Sequence, residues 1–170
     1  MKKNTAKIAF TGILATLSTI TFMLENLFPP LIIPGAKMGI SNIFILFAFI
    51  SLGGFSGFTV LTVKVLLGSL FTGNISAMIY SLPAGVLALT AEILVLTFIK
   101  RVSIICASIL GSVVNITTQN VTFCIVTATT EYLSFLPYFV MIGIGSGILV
   151  GFTVYILVKR IPLRKILSNN

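Results

Sequence analysis

The chain has 170 residues, 57% of them hydrophobic, with eleven Lys or Arg against three Glu and neither Asp nor His. A mean hydropathy of +1.17 excludes an ordinary soluble domain, and long apolar runs broken by polar clusters make the lipid bilayer the solvent. The formal charge of +8 does not point to nucleic acid: the basic residues are scattered at helix ends, with no aromatic-interleaved basic patch, so membrane topology explains them better.

Six spans follow in chain order, near 5–24, 38–52, 55–72, 75–99, 103–127 and 135–158, forming one all-α membrane domain over 1–170. The first is not a cleavable signal, because Glu25-Asn26 and Pro29-Pro30 follow its long apolar stretch instead of a small-residue cleavage site. The second and third are short and suit a thin or tilted crossing. Gly53-Gly54, Gly73-Asn74, Lys100-Arg101 and Thr129-Thr130-Glu131 mark the successive turns. Pro83 falls inside the fourth span, where it frees a carbonyl and either kinks the helix harmlessly or opens it onto a cavity.

Basic residues orient the bundle. Lys2, Lys3, Lys7, Lys100, Arg101, Lys159, Arg160, Arg164 and Lys165 fall on one side, Lys37 alone on the other. The positive-inside rule then puts both termini in the cytoplasm of a multi-pass plasma-membrane protein. The Pro-rich segment Glu25 to Lys37 is the longest external one.

An ionisable residue inside a span is a functional hypothesis by default, and Lys64 and Glu92 are the two candidates. In a hairpin turning at Gly73-Asn74, Lys64 lies opposite Pro83, and Glu92 lies about 14 Å deeper. That excludes a direct ion pair, so Lys64 needs another anion, such as a bound carboxylate or phosphate; otherwise it snorkels or faces a wet crevice. Glu92 pairs with Lys100 or Arg101, is protonated, or contacts a partner. Asn115 and Gln119 share one face of the fifth span, where amides at membrane depth need partners. They either contact a polar ligand or hold helices together. Asn42, Ser81, Glu25 and Lys37 join them in the outer half, which suggests a pocket opening outward. Lys64 would supply charge, Asn42, Ser81, Asn115 and Gln119 hydrogen bonds, and the Glu25–Lys37 loop a lid.

Gly143, Gly147 and Gly151 form a small-residue stripe on the sixth span, a close-packing surface and not a nucleotide motif. Thr11, Ala15 and Thr19 give the first span a similar face, which packs within the bundle or receives another subunit. Cys106 and Cys124 fall about 27 Å apart on one helix and cannot bridge within the chain. With no His and no CxxC, neither a metal nor another cofactor is expected.

The run Glu25 to Pro30, followed by Ile33-Pro-Gly-Ala-Lys-Met-Gly-Ile-Ser-Asn42, resembles the signature of the Gx transporter family, also catalogued as heptaprenyl diphosphate synthase component I. The likeness continues through Lys64 to Gly73, Tyr80 to Gly85, Gly111 to Gln119 and Leu136-Pro137, nearly the whole chain. The family usually has Arg at Lys64, His-Asn at Val114-Asn115 and Gly-Gln at Thr118-Gln119. Lys keeps the charge but loses bidentate recognition. The family in turn resembles the S components of energy-coupling-factor transporters, six-helix proteins that capture a vitamin-like molecule outside. These reorient against a transmembrane coupling subunit carrying two ATPases, docking through small residues on the first helix, a role that falls here to Thr11 and Ala15.

The resemblance therefore implies an S-component-like bundle that binds a small anionic or amphipathic solute and moves it across the membrane with energising partners. The alternatives are an accessory membrane subunit beside a soluble prenyl diphosphate synthase, or a structural subunit of a larger complex. Prenyl elongation needs paired Asp clusters to hold Mg²⁺, and this chain has no Asp, so it is not expected to be an enzyme by itself. It also lacks a P-loop, which puts any ATP hydrolysis elsewhere.

Overall fold

The computed structural model describes residues 2–27 and 39–163. Lys37, with most of the Glu25–Lys37 segment, lies outside the described residues, as do Arg164 and Lys165. Six α-helices follow one another: α1 Lys2–Leu27, α2 Asn42–Leu52, α3 Gly54–Phe71, α4 Ile75–Phe98, α5 Ile104–Thr127 and α6 Leu136–Arg160, the last entered through a 3-10 turn at Glu131–Phe135. All but α2 are long and apolar enough to cross a membrane. The protein is thus a multi-pass membrane protein built as a helical bundle.

Helix is the only local answer for these runs, because a backbone in hydrocarbon must satisfy its own hydrogen bonds. The side chains follow the same logic. Thr16, Thr59, Thr62, Thr90 and Thr153 each donate to the carbonyl four residues earlier, so each of these hydroxyls is satisfied within its own helix. Ile8, Phe55, Phe98, Ile125 and Met141 point outward, where lipid replaces water as their neighbour.

The turns fall where the sequence breaks. Gly53 takes a φ of 101° between α2 and α3, and Gly73 a φ of 66° after α3. Ser103 caps α5 by accepting from the Cys106 N–H. Pro83 does not interrupt α4, which runs on through it. The second span is shorter than the sequence suggested. α2 has eleven residues, about 16 Å of helix against a hydrocarbon core of about 30 Å. It begins inside the bundle and packs against α1, α3 and α6.

The core comprises Leu46, Val60, Leu61, Val65, Leu89, Val150 and Val154. On one side α6 lies against α5 through its glycines. A Cβ on Gly147 would come within 2.5 Å of the Ile109 Cα, and one on Gly151 within 2.7 Å of the Ile105 Cα. This close backbone approach is what a small-residue stripe provides in a membrane. Cys106 is exposed and Cys124 buried, both as free thiols on α5.

Thr11 and Ala15 are buried, and both line a groove of about 730 Å³ between α1 and α3. The Thr11 and Thr19 hydroxyls donate back to the Lys7 and Ala15 carbonyls, so this face of α1 presents methyl groups.

Candidate functional site

The site forms where the start of α2 meets the middle of α3 and the C-terminal end of α1. Lys64 is 5% exposed and lies seven residues, about 10 Å, before the end of α3. Its Nζ donates to Asn42 Oδ1 at 2.8 Å and to Ser41 Oγ at 3.2 Å. The Phe22 ring lies 5.5 Å from the ammonium, within cation–π range. Neutral oxygens at the head of α2 therefore take hydrogen bonds that the sequence had led us to assign to a bound anion.

Ser41 links the parts. It is 1% exposed, and its carbonyl accepts from the buried Ser18 hydroxyl on α1 at 2.9 Å. Its own hydroxyl donates to Glu25 Oε2 at 2.9 Å while accepting from Lys64. The other oxygen of Glu25 accepts from the Ile40 backbone N–H. The result is a continuous chain, Ile40 and Ser41 to Glu25 and Lys64 to Ser41 and Asn42, knitting three helices together. Charge-assisted bonds of this kind are the strong ones, and they strengthen further away from water.

Around this chain lies a cavity of about 20 Å³, lined by Glu25, Asn42, Lys64, Ser81, Asn115 and Gln119 together with Phe22, Gly39, Ser41 and Gly85. Six of the residues singled out from the sequence thus meet at one place, drawn from five helices. Ser81 is buried on α4, and Asn115 and Gln119 are half-buried on α5. Gly85 lies close to α3, where a Cβ would overlap the Leu61 side chain. Asn120, by contrast, is buried on α5 but does not line the cavity.

Sequence reasoning missed Ser41, Ser18 and Phe22. Ser41 precedes the first residue of α2, the N-cap position where Ser is favoured, and Lys64 in the adjoining hairpin helix was the signal that this end faces a charge. Nothing in the sequence singled out Ser18 or Phe22 from their neighbours.

Glu92 is elsewhere. It is 7% exposed and lies seven residues beyond Gly85 on α4, about 10 Å further along. Gly111 on α5 makes the space for it, since a Cβ there would overlap the carboxyl group. Among the described residues no hydrogen bond or ion pair reaches that carboxyl group, so the suggested pairing with Lys100 or Arg101 does not occur. Those two basic residues are exposed at the end of α4. No group of His, Cys, Asp or Glu suited to a metal ion occurs among the described residues.

The family model for heptaprenyl diphosphate synthase component I matches residues 14–157, which takes in the cavity, the whole of α2 to α5 and most of α6, with the second half of α1. The chain belongs to this family. As a component I it is a subunit and not itself the catalyst, and the family description implies partnership with another component of a heptaprenyl diphosphate synthase. The absence of Asp from the whole sequence agrees with that division, since Mg²⁺-dependent diphosphate chemistry needs clustered carboxylates. No curated protein and no solved structure matches the chain.

Proposed function

We propose that this chain is an accessory membrane subunit of heptaprenyl diphosphate synthesis, working beside a separate, carboxylate-rich catalytic subunit. The observation that carries this reading is the family match over residues 14–157 in a chain with no Asp. A long isoprenoid product belongs in hydrocarbon, and a multi-pass subunit would bring a soluble synthase to that phase. By the positive-inside rule the distribution of basic residues along the sequence favours cytoplasmic termini, the side where such a partner would sit.

The cavity favours a second reading. A buried ammonium surrounded by hydroxyl and amide groups suits a small anionic or amphipathic solute. On this view the chain resembles an S component, with Lys64, Asn42, Ser81, Asn115, Gln119 and Glu25 contacting the solute. Thr11 and Ala15 would then face a coupling subunit that carries the ATPases.

One preparation separates the two. Tagged protein purified gently from its own membranes is examined by native mass spectrometry. A stoichiometric prenyl synthase with no small ligand supports the accessory role. A defined small molecule that disappears in Lys64→Met, together with a coupling subunit, supports solute capture and removes the first reading.

A further inference from the structure

We propose that the Lys64 cavity is a monocarboxylate site, and that the protein's own Glu25 stands where the ligand's carboxylate goes. Every group around the Glu25 oxygens is built to hold an anion. The Ile40 backbone N–H meets one oxygen and the Ser41 hydroxyl meets the other. Behind them lie the Lys64 ammonium, which donates to the same Ser41 hydroxyl, and the N-terminal end of α2, where the helix dipole places partial positive charge. Lys64 and Ser41 are both more than nine-tenths buried, so this is an interior site and not a surface charge pair.

The size of the cavity decides what must happen on binding. About 20 Å³ is room for one water. A solute enters only if Glu25 leaves, and its departure frees two donors arranged as a fork. Two donors to two coplanar oxygens match a carboxylate. The charge count points the same way. Lys64 is the only cation and Glu25 the only anion among the described residues lining the cavity, so removing the Glu25 side chain leaves a single positive charge. That balances a monoanion and leaves a phosphate dianion undercompensated. Ser81, Asn115 and Gln119 line the same cavity from α4 and α5 and offer donors and acceptors to the rest of the molecule. The ligand class is therefore a small polar monocarboxylic acid. Glu25 lies in the last turns of α1, so exchange with the ligand uncouples the end of α1 from the head of α2. The inference deepens the solute-capture reading but needs only that the cavity bind an anion.

Chemical rescue tests it on the full chain in detergent. Thermal unfolding is followed by circular dichroism for wild type, Glu25→Ala and Glu25→Ala/Lys64→Met, in sodium acetate, acetamide or sodium phosphate at matched ionic strength. Glu25→Ala should melt about 5 °C lower than wild type and recover most of that loss, saturably, in acetate alone. The double variant should not recover. Equal recovery in acetamide, recovery in phosphate but not acetate, or none in any of them overturns the proposal. If Glu25→Ala does not fold, Glu25→Gln keeps the shape without the charge. Saturation transfer to [¹³C]acetate should then show binding at least about ten-fold tighter than in wild type, and equal binding overturns the proposal. Rescue by acetate with no solute retained in native mass spectrometry leaves the carboxylate site standing and removes solute capture. A retained solute with no acetate effect does the reverse.

Discussion

Two buried ionisable side chains divide this molecule, and they are accommodated by different physics. Lys64 is held by bonds: Asn42 and Ser41 accept from it, Phe22 faces it, and Glu25 completes the chain through Ser41. Glu92 is held by space, in a pocket that exists because position 111 on the neighbouring helix is glycine. A membrane bundle can therefore house a charged residue type either by supplying partners or by withdrawing side chains. Only the first arrangement presents donors and acceptors that are already aimed.

The largest effect should come from Lys64. Changing it to Met strands the Glu25 carboxylate and the Asn42 oxygen without their cation, at a cost of about 3 kcal/mol. Melting in detergent, followed by circular dichroism, should fall on the order of 10 °C. An unchanged melting temperature would mean that the bonds at the head of α2 contribute nothing.

Next comes the space around Glu92. Gly111→Ala should destabilise by about 2 kcal/mol through overpacking against the carboxyl group. The double variant Gly111→Ala/Glu92→Ala should recover at least half of that, giving a measurable coupling in a double-mutant cycle. Additive losses would show that the glycine serves the backbone and not the side chain opposite.

Smaller still is the charge on Glu92. Glu92→Gln keeps the shape and should change stability by less than about 1 kcal/mol. If it instead cost as much as Lys64→Met, the contrast between bonds and space would collapse. The least effect is expected at Ser108, fully buried on the same helix as Gly111, with a hydroxyl that has no partner among the described residues. Ser108→Ala should be neutral or stabilising by up to about 1 kcal/mol, since it removes an unsatisfied group.

The helical architecture was readable because hydrocarbon permits little else, and because Gly53, Gly73 and the Lys100-Arg101 pair punctuate the chain. The length of α2 was not readable. Its apolar run continues back toward Met38, and only the packing of Ser41 and Asn42 against Lys64 shows why the helix begins where it does. The meeting of Lys64, Asn42, Ser81, Asn115 and Gln119 could be anticipated from their common depth on antiparallel spans. The grip of Ile40 and Ser41 on Glu25 could not, since it depends on how the chain returns between α1 and α2. The seat of Glu92 was within reach: counting back from Lys100 and forward from Arg101 sets Glu92 nearly level with Gly111, and a glycine at that height is where a buried carboxyl group fits.

The shortness of α2 has an electrical consequence. A helix of about 16 Å covers about half of a roughly 30 Å hydrocarbon core, so with its far end at one interface an anion held at its head would sit part-way through the membrane's electric field. A full elementary charge crossing the whole field exchanges about 2.3 kcal/mol per 100 mV, so an anion stopping near the middle exchanges about half of that. In sealed vesicles with an imposed potential, occupancy at the head of α2 should shift severalfold per 100 mV. The direction of that shift would report which face of the membrane the cavity opens to.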